Sequence, residues 1–432
     1  MQIEIYSEIN PLKSVILHQP GEEHFFINPK NLNEWLPGKN KLVDNPNYLL
    51  FDDLINPQKA KKEHNLLSQI IKKFTGEKKC IEFTDLLLDI LNDMELKKML
   101  LQECITFENN HYNDNLTKFN LSDFSSMEKH EILHILLTGR DPHDLEKKYF
   151  KHPIPNLIFT RDIAAVIGKT ILLTWGYRQV RNRENILTKY VFQYHNIFNN
   201  IKTYDFNAKH PDLTIEGGDI LILNEKTICI GISERTSPQS INVLLPLFFE
   251  EGFQNIFAID LPKRRSTMHL DTIFNRINNS EAIVFPPLFL QSRINQVILK
   301  INCILQGQTL DDCKKTTQNF LEILKDFNIH LNPIKCGGDE KFNQEREQWT
   351  DGANYFTLSP GVILGYDCNF NTINELTNAG YACIEAEKFL RNNESFNKYS
   401  KIMISIPSAE LSRGRGGIRC LTLPLSRGIM NE

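Results

Sequence analysis

No stretch of this sequence is apolar for long enough to cross a bilayer. Its first ten residues, MQIEIYSEIN, lack the basic-then-apolar pattern of a secretion signal. C-x-x-C pairs are missing as well: the nine cysteines are scattered and odd in number. That argues against a disulfide scaffold or a zinc ribbon, and for reduced thiols in a cytoplasmic compartment. Charge of one sign is scarce, with a formal net charge of -4 over 432 residues, so the balance points to neither nucleic acid nor an anionic membrane. Clusters such as Lys59-Ala60-Lys61-Lys62 read as solvated helix faces. The sequons Asn115-Leu116-Thr117 and Asn393-Glu394-Ser395 carry no weight without secretion. What remains is 41% hydrophobic and 24% charged, a globular composition long enough for more than one ordinary domain.

Short apolar strands recur as hairpins around polar or Gly/Pro turns. Ile163-Ala164-Ala165-Val166-Ile167 turns through Gly168-Lys169 into Thr170-Ile171-Leu172-Leu173. Ile220-Leu221-Ile222-Leu223 turns into Thr227-Ile228-Cys229-Ile230. Thr272 to Asn275 precedes Ala282 to Phe285, and Tyr355 to Leu358 turns at Ser359-Pro360-Gly361 into Val362 to Leu364. The strand Ser14 to His18 can pair with the chain end after Cys420 to complete a fifth unit. Helix-like stretches such as Gln239 to Gly252 follow several hairpins. Repeats of this size suit a propeller or another closed array, with an ordinary mixed sheet as the alternative. Residues 59–150 differ: Phe83 to Leu91 and Met127 to Leu137 carry helical apolar spacing. They read as a helical insertion (59–150) in a β-rich body made of 1–58 and 151–432.

The chemistry gathers at element ends. Cys420 lies in Arg413-Gly414-Arg415-Gly416-Gly417-Ile418-Arg419-Cys420, a thiol flanked by guanidinium groups on a glycine-rich turn. A cation beside a thiol stabilises the reactive thiolate. Asp162 follows Phe159-Thr160-Arg161 before a strand. Glu216 begins Glu216-Gly217-Gly218-Asp219, and His269 and Asp271 lie in His269-Leu270-Asp271-Thr272. If the last segment is extended, His269 and Asp271 point to one side. Each residue alone suits a cap, a turn or a surface pair, but together they define a reaction. A guanidinium carbon is a poor electrophile because its charge is spread over three nitrogens. Carboxylates hold such a group still and cationic. A thiolate can then attack the carbon, and a histidine can protonate the departing nitrogen and later activate water.

Beyond this, the chain closely resembles arginine deiminase, within the guanidine-modifying superfamily. The likeness runs through Pro11 to His18, Leu50-Phe51-Asp52-Asp53, Phe159-Thr160-Arg161-Asp162, Glu216-Gly217-Gly218-Asp219 and Ser233-Glu234-Arg235-Thr236. It continues through His269-Leu270-Asp271, Arg346 to Asn354 and the Arg415 to Cys420 loop. The resemblance implies a five-bladed pseudo-symmetric α/β propeller of ββαβ-type repeats with an inserted helical domain. It implies Cys420 as nucleophile, His269 as general acid/base, Asp162 and Asp271 as the guanidinium clamp, and Glu216 supporting substrate and histidine. Asn156, Phe159, Arg181, Arg235, Gly414 and Arg415 match substrate-contacting positions, with Arg181 and Arg235 suited to an α-carboxylate and Arg415 to a mobile loop. The implied reaction takes L-arginine and water to L-citrulline and ammonia, without metal or cofactor, in a cytoplasmic homo-oligomer (dimer or tetramer). Ile163 stands where the family often has proline. Sister enzymes on the same clamp and thiol (an amidinotransferase, a methylarginine hydrolase, an agmatine deiminase) and a non-catalytic arginine-binding protein are the alternatives.

One further motif, His130-Glu131-Ile132-Leu133-His134, matches the H-E-x-x-H zinc-protease pattern. Leu137 and Arg140 stand where the longer pattern needs Gly and His, and a third ligand such as Glu146 or Glu184 lacks support, so it reads as chance. The run Gly414 to Gly417 lacks the strand–glycine–helix context of a phosphate loop.

Overall fold

The computed structural model describes residues 1–39, 41–112, 121–290 and 299–428. The sequon at Asn115 lies outside them. Among the described residues are five sheets of three or four strands and one two-stranded hairpin, Trp35–Pro37 with Leu42–Asp44. Each larger sheet repeats one pattern: an antiparallel pair, a helix, then a strand parallel to the second of the pair.

In one sheet Ala164–Ile167 pairs antiparallel with Thr170–Leu173, and Lys202–Asp205 then adds in parallel. The turn between the first two needs a left-handed residue, and Gly168 supplies it with φ 57°. The crossover is the helix Asn182–Tyr194. Ile220–Asn224, Thr227–Ile232 and Asn255–Asp260 repeat the arrangement, with Lys300–Leu305 added at the edge. Their crossover is Pro238–Glu250, begun by a Ser237 cap on the Ser240 amide with Pro238 in the first turn. Phe274–Arg276, Glu281–Val284 and Asn332–Lys335 form a third sheet. Phe356–Ser359, Val362–Tyr366 and Ile402–Ile406 form a fourth, extended by Ala382–Glu385. The fifth joins the two ends of the chain: Leu12–Leu17 pairs antiparallel with Leu423–Arg427 and parallel with Cys80–Glu82. The hairpins expected from short apolar runs are therefore present, and the architecture is mixed α/β.

The strand Cys80–Glu82 and the helix Pro57–Thr75 belong with that fifth sheet, the helix being its crossover. An amphipathic pattern names a helix but not its partner, so the sequence groups these residues with the helical segment. The helices Phe83–Ile90, Met94–His111 and Lys129–Thr138 follow. Phe83, Leu87, Leu100, Cys104, Ile132 and Leu136 share one apolar cluster with Ile186, Leu187 and Val191 of the crossover helix. This continuous packing docks the helical segment on the body. Gly139 ends its last helix at φ 78°, and a Cβ there would lie 2.7 Å from the Phe150 carbonyl oxygen. No helix among the described residues is long and apolar enough to cross a membrane.

The H-E-x-x-H residues sit on Lys129–Thr138 with other partners. Glu131 caps the helix through the Glu128 amide and meets His143 at 2.5 Å, while His134 meets Glu22 at 2.5 Å. Glu184 is buried in a different place, against Arg181.

Candidate active site

Sheet ends bring the chemistry together. Cys420 opens the stretch leading into Leu423–Arg427, and its carbonyl oxygen accepts from the Arg161 amide at 3.1 Å. Asn354 fixes it from the other side: Oδ1 accepts from the Cys420 amide at 3.1 Å, while Nδ2 donates to the Asp271 carbonyl at 3.2 Å. The glycines before it permit close packing. A Cβ on Gly416 would lie 2.3 Å from the Phe159 ring, one on Gly417 2.6 Å from Asn354, and one on Gly414 2.7 Å from Phe51. Arg415 has φ 63°, stacks on Trp349 with its guanidinium carbon 3.9 Å from the ring centroid, and donates to the Arg265 carbonyl.

The thiol meets carboxylates. Cys420 Sγ lies 3.8 Å from Asp271 Oδ2, which also accepts from Arg419 Nη1 at 2.7 Å. Asp271 Oδ1 is buried without a hydrogen-bond partner among the described residues. Burial drives the Cys420 thiol well above its ordinary value, and Asp271, Asp162 and Asp351 add to the effect while Arg419 opposes it. The flanking guanidiniums are committed elsewhere, Arg419 to Glu8 and Asp271 and Arg415 to Trp349. Burial and these carboxylates therefore favour the neutral thiol in the empty site, a question that the flanking arginines of the sequence leave open.

His269 and Glu216 form the second half. His269 Nε2 is 2.8 Å from Glu216 Oε2, and Nδ1 is 3.8 Å from Asp162 Oδ1. Burial lowers the pKa of His269, but Asp162, Glu216 and Asp219 outweigh it and raise it to about 9. Burial also opposes ionisation of Glu216, yet Arg235 and His269 hold its carboxyl well below the usual range. Gly218 lets the imidazole approach, since a Cβ there would lie 2.6 Å from His269 Nδ1. His269 is extended but Leu270–Thr272 is a turn of 3-10 helix, so the strand-like geometry supposed for His269 and Asp271 is absent. Asp219 holds that turn by accepting the Leu270 amide at 3.0 Å.

Asp162, Glu216, His269, Cys420, Asn156, Phe159, Arg181, Arg235 and Arg415 line one small cavity of about 20 Å3. Asp271 reaches the thiol from below, and Gly414 packs on the Phe51 and Phe159 rings rather than lining the cavity. Arg235 Nε and Nη1 are buried with no hydrogen-bond partner among the described residues, and Nη1 is 3.9 Å from Glu216 Oε1. Arg181 is different. Its Nη1 donates to Asp162 Oδ2 at 2.7 Å, Nε to Glu184 Oε2 at 2.9 Å, and Nη2 to the Asn156 and Phe159 carbonyls. Of the two arginines expected at an α-carboxylate, only Arg235 has uncommitted donors. Ligand atoms of Asp162, Glu216 and His269 lie within 4.8 Å of one another, a spacing that a cation can bridge, but here they are engaged with Arg181, His269 and Glu216 respectively. In the sequence Asn354 and Asp219 carry no separate role, Glu184 is set aside as a metal ligand, and Arg419 reads only as a charge beside the thiol. Their motifs contain them, but only the fold reveals what they touch.

Residues 47–427 match the family model described as arginine deiminase. An arginine deiminase of Mycoplasma capricolum subsp. capricolum is 30% identical over 449 residues, covering 100% of this chain and 98% of that protein. One from Streptococcus pneumoniae (strain P1031) is 30% identical over 445 residues, covering 98% of each. Among solved structures, an amidinotransferase of saxitoxin biosynthesis from Microseira wollei is 13% identical and covers 100% of this chain and 99% of that one, with a TM-score of 0.50.

Proposed function

The chain belongs to the arginine deiminase family, and from that membership we propose how its residues divide the work. The protein hydrolyses L-arginine to L-citrulline and ammonia. Asp162 and Asp271 hold the planar guanidinium, and Arg235 takes the α-carboxylate with its uncommitted donors. The substrate cation offsets the anionic surroundings of Cys420 and favours its thiolate. The S–H bond breaks with its proton passing to Asp271 Oδ2, from which it is returned to sulfur at the end of the cycle. Sulfur bonds to the guanidinium carbon. Protonated His269 gives its proton to one nitrogen, the C–N bond breaks, and ammonia leaves a thiouronium on Cys420. Neutral His269 then takes a proton from water, oxygen bonds to the carbon, and the C–S bond breaks to release citrulline.

The observation that carries this reading is the shared cavity of thiol, imidazole and carboxylates, with Cys420 Sγ 3.8 Å from Asp271. The uncommitted Arg235 favours a substrate bearing a carboxylate over agmatine, which has none. We also propose that the five ββαβ sheets close as blades around the site, which the pairing of first and last strands supports. Nine unpaired cysteines support a reducing, cytoplasmic setting. Exposed Trp35, Leu36, Leu42 and Val43 on the two-stranded hairpin support a homo-oligomer. Purified protein given L-arginine is expected to form citrulline and ammonia together, and Cys420→Ala none. Transfer of the amidino group to an added amine in place of water contradicts the reading.

A further inference from the structure

The space open to water among these side chains is about 20 Å3, room for about one water molecule. Arginine cannot enter without a rearrangement, and the contacts identify which group is in the way. The Arg181 guanidinium lies on Asp162 Oδ2, while Asp162 Oδ1 already accepts the Gly218 amide at 3.2 Å. Of the proposed clamp, Asp271 keeps a free oxygen and Asp162 keeps none. A guanidinium of the protein thus stands where a guanidinium of the substrate is to bind.

Arg181 has a place to go. Among the described residues Glu184, fully buried, accepts only from Arg181 Nε through Oε2, and its Oε1 is buried without a partner. Burial pushes the Glu184 carboxyl up to about 7 despite Arg181 beside it, so the present single bond undercompensates that burial. A second bond to Arg181 would make the pair bidentate, the favoured geometry of arginine and carboxylate. Arg181 ends the one-turn helix Gln179–Arg181, and the segment from Tyr177 to Val180 borders a cavity of about 490 Å3 on its other side.

We infer that Glu184 is a positioning residue for the clamp: it tethers Arg181, which occupies Asp162 in the empty site and moves wholly onto Glu184 when arginine binds. This rests on the proposed role of Asp162 toward the substrate guanidinium. Binding is then an exchange of one guanidinium for another, and the clamp carboxylate is never left buried and unpaired. A ligand without a guanidinium cannot complete the exchange, so the device adds selectivity as well as protection.

Two experiments test it. Glu184→Gln removes this anion from Arg181 in both states, but in the empty site Asp162 still pairs with it, whereas the displaced Arg181 is left without one. KM for arginine is therefore expected to rise about tenfold or more while kcat changes far less, and Glu184→Asp to restore much of the loss. Equal falls in kcat and melting temperature with KM unchanged would overturn the inference. The structure of Cys420→Ala with bound L-arginine is expected to place substrate on Asp162 and Arg181 on both oxygens of Glu184. Substrate on the clamp with Arg181 still bonded to Asp162 refutes the exchange alone. A guanidinium bound away from both aspartates refutes the exchange and the proposed function together.

Discussion

Glu216→Gln isolates the electrostatics of the imidazole. His269 is held at about 9 against an ordinary value of 6.5, although burial pulls it down. At about 1.4 kcal/mol per pH unit, that difference is worth about 3 kcal/mol of preference for the charged ring. Three carboxylates supply it, and only Glu216 does so in hydrogen-bond contact, at 2.8 Å. Neutralising an opposite charge at that range lowers a pKa by about 1 to 3 units, so His269 is expected near 7 in the variant. The sign is set by the raised value: the protonated ring stabilises the fold fully below pH 6.5, and that contribution disappears as pH rises through about 9. In Glu216→Gln the loss is complete nearly two units earlier. NMR titration of His269 in both proteins reads the effect directly. The basic limb of kcat/KM, which reports the free enzyme, moves down with it, so the activity deficit widens from pH 6 to pH 9. An unchanged His269 titration would refute the reasoning.

Arg235→Ala removes buried guanidinium donors that have no partner in the empty site. KM for arginine is expected to rise about tenfold to a hundredfold with kcat much less affected, and agmatine to lose little. Because burial and neighbouring carboxylates hold Cys420 as a thiol, iodoacetamide should inactivate the empty enzyme slowly at neutral pH, with a rate still climbing past pH 9; a plateau near pH 7 contradicts this. Gly416→Ala places a methyl 2.3 Å from the Phe159 ring. Thermal denaturation should show a loss of about 1–3 kcal/mol along with reduced turnover.

The chemistry was more legible than the architecture. Cys420, His269, Asp162, Glu216 and Asp271 sit in short motifs whose residue types define a reaction even before their geometry is known. The hairpins could be read because short apolar runs and Gly168 or Ser359-Pro360-Gly361 turns act locally. What could not be read was pairing across the chain. The helix Pro57–Thr75 carries the same amphipathic signature whether it crosses over a sheet or joins a helical insertion, and only the parallel pairing of Cys80–Glu82 with Leu12–Leu17 decides between them. Arg415 and Arg419 flank the thiol in sequence, yet Arg419 pairs with Glu8 and Asp271 and Arg415 donates to the Trp349 carbonyl. Arg181 looked like an anion receptor, and its commitment to Asp162 and Glu184 depends on long-range packing that no local motif encodes. Asn354 lay in plain view within Arg346 to Asn354, but its grip on Cys420 spans 66 residues.

The covalent step offers the most direct test. Enzyme mixed with L-arginine, quenched in acid within a turnover and digested, can be mapped by mass spectrometry. The expected result is a peptide containing Cys420 heavier by arginine less ammonia, with the modification lost in step with citrulline release. An unmodified Cys420 peptide throughout, together with citrulline formation by Cys420→Ala, would contradict the account.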